Sequence, residues 1–310
     1  TERTPQGTDA FDIIGDIHGQ IGKLKSLLEK LGYCPLNGGF RHPGGRKVIF
    51  LGDYIDRGPA VREVLHAVKA MVDGGDALAI MGNHEYNIIC YHTPDGKGGW
   101  LRPHTETNNR QVAATLRDFE GREQEWRDWL EWMKRLPVAL ELEGLRCVHA
   151  CWDGRRMKTL AGRCLTDESF LRACATSLAP EHRAIENVLK GPELRMPDGF
   201  FFHDKEGIPR KTVRVRWWEI PAAAKVSHLA MPVPFDAEGD AAPHDLSRIP
   251  SYGPGEIPVF FGHYWMPPDA PKVPIRPNLA CLDFGAGIGG PLTAYRWDGE
   301  QTLRAEKFVY

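Results

Sequence analysis

The side chains best suited to chemistry in this chain are carboxylates, an amide and imidazoles that stand beside glycines in five short segments. Oxygen and imidazole ligands without a thiolate are typical of sites that hold manganese, iron or zinc. Two divalent ions held close together repel each other, and a carboxylate oxygen between them reduces that repulsion. The adjacent glycines allow sharp turns and leave room for ions. The segments are Gly15–Gly19 (GDIHG), Gly52–Gly58 (GDYIDRG), Gly82–Glu85 (GNHE), Val148–His149 and Gly262–His263.

Each of these segments directly follows a predicted strand. The first three strands alternate with helical patterns at 23–31 and 61–72, and this βαβαβ order predicts neighbouring parallel strands. Strands that end at one edge of a sheet deliver the loops after them to a common crevice. The five segments are therefore predicted to converge, although they lie far apart in the sequence. The predicted strands are Phe11–Ile14, Val48–Leu51, Ala77–Met81, Leu145–Val148 and Val259–Phe261.

The remaining elements are predicted from shorter patterns. A helix is predicted over 123–136, where a stripe of tryptophans is interpreted as packing, and one or two short helices over 166–190. The segment Glu143-Gly144 joins two strands in a predicted hairpin. Further strands are predicted at Val138–Leu142, Thr212–Trp217, Leu279–Leu282, Leu292–Trp297 and Leu303–Val309.

One domain over 10–310 is expected, preceded by a flexible tail at 1–9. Two irregular insertions interrupt it, near 92–110 and near 191–257. The first is rich in Gly, Pro, His and Asn and is predicted to be a loop or lid, because structureless segments of that length are uncommon unless they are functional or disordered. The second is dense in Pro and Gly, and its periodicity is weak.

Composition and charge indicate a soluble globular protein. Apolar residues make up 42% of the 310 residues and charged residues 26%, while the formal net charge of −2 gives no overall field that favours nucleic acid or a membrane surface. No stretch reaches the roughly 18 apolar residues that span a bilayer. The 7 cysteines are odd in number and form no CxxC pair, so free thiols in a reducing compartment explain them better than disulfides. A cytoplasmic location is therefore expected.

The order of the five segments resembles the calcineurin-like metallophosphoesterases, and within them the phosphoprotein phosphatase superfamily. The resemblance extends over about Phe11 to Phe308 and is loose in the middle third. Near the C-terminus, Cys281–Gly285 and Gly289–Ala294 resemble the bacterial members, which include protein phosphatases and diadenosine tetraphosphatases. The resemblance implies an α/β fold in which a central β-sandwich of mixed sheets is flanked by helices. A site for two metal ions would lie at the carboxyl ends of the strands.

The resemblance also implies the ligands of two divalent ions, with Mn²⁺ expected and iron or zinc as alternatives. A hydroxide held between the ions would attack phosphorus in line, because coordination lowers the pKa of water. Asp53 would bridge both ions. The other implied ligands are Asp16 and His18 for one ion, and Asn83, His149 and His263 for the other.

Three further residues receive catalytic roles by the same resemblance. His84 would protonate the leaving oxygen, Asp56 would orient His84, and Arg57 would bind the phosphate oxygens as a fork. A second phosphate-binding arginine is expected at Arg214 or Arg216, which strand alternation would place on one face.

Two positions near the predicted site leave the interpretation open. Many relatives have two glycines where this chain has Ala150 and Cys151, so the pocket beside the second ion is expected to be reshaped. Asp283 is interpreted either as a hydrogen-bond partner of a ligand histidine or as a turn-forming residue.

The expected function is that of a phosphatase acting on phosphomonoesters, including phosphoserine and phosphothreonine. The alternative is a dinucleoside polyphosphate hydrolase with the same residues. The near-neutral charge gives no support to a polynucleotide phosphatase, and the complete set of implied ligands disfavours a non-catalytic scaffold. The expected partner is a phosphorylated protein, small molecule or nucleotide, with no membrane.

Overall fold

The computed structural model describes residues 10–196, 201–203, 209–219, 229–231 and 246–310. The predicted tail at 1–9 and much of the predicted insertion at 191–257 lie outside the described residues. The helices are α1 (Ile21–Lys30), α2 (Val61–Asp73), α3 (Asn83–His92), α4 (Glu106–Asp118), α5 (Glu123–Lys134), α6 (Gly154–Leu160), α7 (Glu168–Ala175) and α8 (Pro180–Lys190). The strands are β1 (Phe11–Ile14), β2 (Cys34–Leu36), β3 (Gly39–Arg41), β4 (Lys47–Phe50), β5 (Ala77–Ala79), β6 (Ala139–Leu142), β7 (Leu145–Val148), β8 (Glu193–Arg195), β9 (Phe202–His203), β10 (Pro209–Arg210), β11 (Thr212–Arg214), β12 (Val259–Phe261), β13 (Leu279–Cys281), β14 (Ala294–Trp297) and β15 (Phe308–Val309).

The larger sheet carries the first three site segments. Its strand order is β15-β14-β1-β4-β5, with β4 parallel to both of its neighbours and β14 antiparallel to β1. Because α1 lies between β1 and β4 in the chain, and α2 between β4 and β5, the predicted βαβαβ order is confirmed. Strand β1 is buried on both faces, as parallel strands covered by helices usually are. Ile14 packs with the helices, whereas Ile13 faces the second sheet.

The second sheet has the order β13-β12-β7-β6 and carries the last two site segments. Strand β12 is parallel to β7 and β13, and β6 pairs antiparallel with β7 as the predicted hairpin. One buried cluster joins the two sheets, with Phe11 and Ile49 from the first and Cys147 and Phe260 from the second. The two mixed sheets thus pack face to face with helices outside. The predicted α/β fold is confirmed.

Several boundaries differ from the sequence predictions. The segment 92–110 is not a loop throughout, because α3 ends at His92 and α4 begins at Glu106. Thr105 caps α4 by accepting the backbone N–H of Asn108 at 3.2 Å. The polar start of α4 concealed the helix, since its buried residues come only later in the segment.

Two strand predictions were too long by three residues or more. The strand predicted over Leu303–Val309 was wrong except for Phe308–Val309, since residues 305–307 form a 3₁₀ turn. The strand predicted at Thr212–Trp217 ends at Arg214. The prediction of a single domain over 10–310 stays a prediction. Within the described ranges, no helix has both the length and the apolar character required to cross a membrane.

Candidate metal centre

The carboxyl ends of β1, β4, β5, β7 and β12 bring the five predicted segments together. The potential ligand atoms form two groups, and within each group all of them lie within 4.8 Å of one another. One group is His18, Asp53 and His84, and the other is Asp53, His149 and His263. All of these side chains are buried. Since Asp53 belongs to both groups, its carboxylate is the group in place to serve two ions.

Backbone carbonyls orient two of the imidazoles. Nδ1 of His18 donates to the carbonyl of Ile55 at 2.8 Å, and Nδ1 of His149 donates to the carbonyl of Leu51 at 2.7 Å. These bonds place the proton on Nδ1 and leave Nε2 as a lone-pair ligand. Nε2 of His18 and Nε2 of His263 are buried and have no hydrogen-bond partner among the described residues. A buried polar atom without a partner is costly, and a bound divalent ion would satisfy each of them.

The oxygen donors of the second group lie close to His149. Oδ1 of Asn83 is 3.0 Å from Nε2 of His149, and Oδ1 of Asp53 is 3.4 Å from the same atom. Oδ1 of Asp53 also accepts the backbone N–H of His84 at 2.9 Å, which fixes the carboxylate at the start of α3. A set of imidazole, carboxylate and amide donors fits manganese, iron or zinc.

Asp16 lies beside the two groups rather than within them. Its carboxylate oxygens accept the backbone N–H of His263 at 3.2 and 3.3 Å. Gly262 permits this approach, because a Cβ atom there would be 2.0 Å from Oδ1 of Asp16. Burial, and then the carboxylate of Asp283, raise the pKa of Asp16. The predicted role of Asp16 as a ligand of the ion at His18 remains a prediction.

His84 is held by a chain of two buried residues. Its Nδ1 donates to Oδ2 of Asp56 at 2.6 Å. Thr115 on α4 donates from its hydroxyl to Oδ1 of Asp56 at 2.5 Å and accepts the backbone N–H of Asp56 at 3.0 Å. The other ring nitrogen of His84, Nε2, is not used in this chain of hydrogen bonds and lies 3.9 Å from Oδ2 of Asp53. A proton on this nitrogen would therefore be available to a bound molecule.

A cavity of about 360 Å³ opens over the cluster, and Arg57 and Arg214 both line it. The Arg57 guanidinium lies 4.3 Å from the centre of the Trp265 ring. Nε of Arg214 is buried and has no hydrogen-bond partner in the described part of the chain. Two guanidinium groups on the wall of one cavity suit a phosphate anion, because their planar donors match its oxygens.

The other two tentative residues are placed differently. Arg216 is not among the residues that line this cavity, and its Nη1 lies 3.6 Å from Glu219. Strand β11 ends at Arg214, and Val215 continues it only as an isolated bridge to Ala230. Oδ1 of Asp283 accepts the backbone N–H of Gly285 at 2.9 Å, which is a turn contact. Among the described residues Oδ2 of Asp283 has no hydrogen-bond partner, so it makes no such bond to a ligand histidine.

Comparison with known proteins places this site in a family. The sequence model of the calcineurin-like phosphoesterases matches residues 10–168, which is about half of the chain and includes four of the five segments. The chain belongs to the calcineurin-like phosphoesterase family. The last segment, with His263, lies beyond the matched residues and joins the site through β12.

Individual proteins resemble this chain over different lengths. It is 31% identical to the asymmetrical bis(5'-nucleosyl)-tetraphosphatase PrpE of Oceanobacillus iheyensis over 45% of this chain and 54% of that protein. It therefore spans about half of the length of that relative. It is 26% identical to the symmetrical bis(5'-nucleosyl)-tetraphosphatase of Methylobacillus flagellatus over 94% of this chain and 93% of that protein. A cold-active protein-tyrosine phosphatase of a psychrophilic Shewanella superposes with a TM-score of 0.50 at 15% identity, over 96% of this chain and 81% of that one, which shows the fold alone.

Five residues of this phosphoesterase site have left-handed backbones that non-glycine residues rarely adopt. Such conformations cost about 1–2 kcal/mol each and persist only where the surrounding structure holds them. The spacing of the motifs gives no sign of them. The residues and their φ angles are His18 (48°), Asp53 (53°), Asp56 (66°), Arg57 (65°) and His263 (63°).

Glu85 supports the backbone of the site, a role that the sequence analysis did not assign to it. Its Oε2 accepts the backbone N–H groups of Asp53 at 2.8 Å and Gly82 at 2.9 Å, and its Oε1 accepts that of Tyr54 at 2.9 Å. The side chain is buried and ties the loop after β4 to the start of α3. The available signal was a glutamate at the third position of a helix, which is typical of a capping box.

Without ions, the charges in the cluster shift the pKa values of its histidines. Burial, and then the neighbouring His84, lower the pKa of His18 to about 3. Burial also disfavours the charged imidazole of His149, but the carboxylates of Asp53 and Asp16 outweigh it and raise its pKa to about 10. In the ion-free protein, His149 therefore carries a proton on both ring nitrogens near neutral pH, and a divalent ion would have to displace the one on Nε2.

Proposed function

We propose that this protein is a metal-dependent phosphoesterase that hydrolyses phosphomonoesters of the phosphoserine and phosphothreonine type. The observation that carries the proposal is that Asp53 belongs to both ligand groups and also lines the cavity that contains two arginines. Bound ions would lower the pKa of a water molecule toward neutrality and neutralise charge on the phosphoryl group. Manganese is the proposed metal. The proposed ligands are Asp16, His18, Asp53, Asn83, His149 and His263.

The side chains around the cavity have separate tasks in this proposal. Arg57 and Arg214 bind the non-bridging oxygens and hold the phosphorus atom over the cluster. His84 gives the proton on Nε2 to the leaving oxygen as the ester bond breaks. Asp56 accepts a hydrogen bond from Nδ1 of His84, which fixes the orientation of the ring. A proton donor placed in this way contributes about 10²–10⁴-fold to the rate.

Dinucleoside polyphosphate hydrolysis is the second candidate. It is favoured by the names of the two relatives that share 31% and 26% identity with this chain. The same residues would act on a phosphate anhydride, whose leaving group needs less help from a proton donor. We also propose a cytoplasmic location, which the free state of all the cysteines supports.

A hydrolysis panel tests the proposal. The chelated protein is reloaded with Mn²⁺ and given p-nitrophenyl phosphate, a phosphoserine peptide and diadenosine tetraphosphate. The expected result is turnover of both monoesters, with the peptide at least as good a substrate by kcat/KM as the dinucleotide. An Asp53→Asn variant, which keeps the shape of the side chain but removes its charge, should lose all three activities and so excludes a contaminant.

Two results would change the conclusion. A preference for diadenosine tetraphosphate of more than about tenfold in kcat/KM, equal to about 1.4 kcal/mol, would replace the first candidate by the second. A reloaded protein that cleaves none of the three compounds would overturn both.

A further inference from the structure

Gln111 on α4 places an amide group in the cavity beside His84. Its Nε2 lies 3.4 Å from Nε2 and 3.5 Å from Nδ1 of the imidazole. The side chain lines the same cavity as Arg57 and Arg214. Since Nδ1 of His84 already donates to Asp56, it cannot accept a hydrogen bond from the amide. The contacts with His84 are long, so the N–H groups of Gln111 remain available to an oxygen atom in the cavity.

Arg102 fixes which way the amide faces. Its Nη2 donates to Oε1 of Gln111 at 2.5 Å and to Oδ1 of Asn108 at 2.8 Å. A guanidinium group has donors only, so the oxygen of the amide must face Arg102. The NH₂ group is thereby directed toward His84 and the cavity. The orientation of a glutamine, usually ambiguous, is here determined by its neighbour.

We propose that Gln111 is a catalytic residue that donates a hydrogen bond to the ester oxygen of the substrate, and that Arg102 is its positioning residue. This inference rests on the proposed function. A water molecule forms the new bond to phosphorus and gives up a proton to solvent. As the bond between phosphorus and the ester oxygen breaks, its electron pair passes to that oxygen, and the proton on Nε2 of His84 follows. Gln111 lies on the same side of the cavity as His84, so its N–H group can donate to the ester oxygen, on which negative charge develops.

The consequence is a dependence on the leaving group. A serine alkoxide concentrates negative charge on its oxygen and gains most from a donor. A p-nitrophenolate spreads the charge over its ring and gains little. A purely structural role for Gln111 would affect both substrates equally, so the ratio of the two rates separates the two explanations.

The experiment measures kcat on a phosphoserine peptide and on p-nitrophenyl phosphate for the Mn²⁺-loaded protein. Gln111→Met removes the donor at nearly constant volume. We expect its kcat to fall about 10- to 100-fold on the peptide, the loss typical of one hydrogen bond to a charged group, and about threefold or less on p-nitrophenyl phosphate. Asn108→Leu, which removes the other acceptor of Arg102 outside the cavity, is the matched control and should keep the ratio of the two rates. Arg102→Met should lower the ratio of kcat on the peptide to kcat on p-nitrophenyl phosphate, as Gln111→Met does, but by a smaller factor.

The outcomes are distinguishable. An active wild-type protein whose Gln111→Met variant keeps the ratio of the two rates overturns this inference alone. A wild-type protein inactive on both esters overturns the proposed function and this inference with it. If Gln111→Met does not fold, Gln111→Glu replaces it, because a carboxylate still accepts from Arg102 but has no N–H group to offer. That variant should show the same selective loss on the peptide, and an unchanged ratio would overturn the inference.

Discussion

Replacing Thr115 by valine separates hydrogen bonding from packing beneath the proposed proton donor. Thr115 is fully buried on α4, and its hydroxyl both donates to Oδ1 of Asp56 and accepts the backbone N–H of Asp56. Valine keeps the shape and removes both bonds. A lost hydrogen bond to a carboxylate costs about 1.5–3 kcal/mol, and a stranded buried N–H about 1–3 kcal/mol. Because the two effects overlap, we expect the free energy of unfolding to fall by about 3 kcal/mol.

Thr115→Ser is the matched control because it keeps the hydroxyl and loses only a methyl group. That loss costs about 1 kcal/mol. Urea unfolding should therefore give a higher free energy of unfolding for Thr115→Ser than for Thr115→Val. Steady-state kinetics should show kcat reduced by about tenfold or more in Thr115→Val only, since Asp56 then orients His84 poorly. If Thr115→Val proves as stable and active as Thr115→Ser, packing is what matters at this position and the reasoning is wrong.

Three further predictions concern the ions and the cavity. His84→Asn should lower kcat by about 10²–10⁴-fold while elemental analysis finds the same bound manganese; a parallel loss of manganese would make His84 a ligand instead. Gly287→Ala would place a Cβ 2.8 Å from Cδ2 of His18 and 2.9 Å from Cδ of Arg57, so bound manganese should fall and KM should rise about tenfold as the imidazole and the guanidinium move. Gly154→Ala, whose Cβ would meet no atom within 4 Å, should leave both unchanged. The pKa of His149 is raised to about 10 in the ion-free protein, so binding of Mn²⁺ should release protons, and the apparent Mn²⁺ affinity should increase with pH up to about that value. Calorimetry in buffers of different ionisation heat checks this, and a binding heat that did not depend on the buffer would refute it.

The site could be predicted from the sequence because its main ligands follow strands. The runs before Asp16, Asp53 and Asn83 are short and apolar, and a parallel sheet has only one edge at which such strands end. The separate sheet that carries His149 and His263 was not visible in the periodicity. It joins the same site because its buried face packs on the first sheet.

The supporting residues could not be predicted because their contacts cross long stretches of sequence. Thr115 is 59 residues from Asp56, and Gln111 is 27 residues from His84. Both belong to α4, whose polar beginning hides its helical pattern. Alternation could not distinguish Arg214 from Arg216, because residues two apart on a strand face the same side.

The left-handed backbones at the site affect the order in which the protein loses ion binding and its folded sheets when it is destabilised. Together the five cost about 5–10 kcal/mol, as much as the whole net stability of a typical domain. The packed pair of sheets, together with Glu85 and Thr115, holds these loops in place, so any loosening of the sandwich lets them relax first. Mild heat or denaturant should therefore abolish ion binding while the sheets and their tryptophan signal are still largely intact.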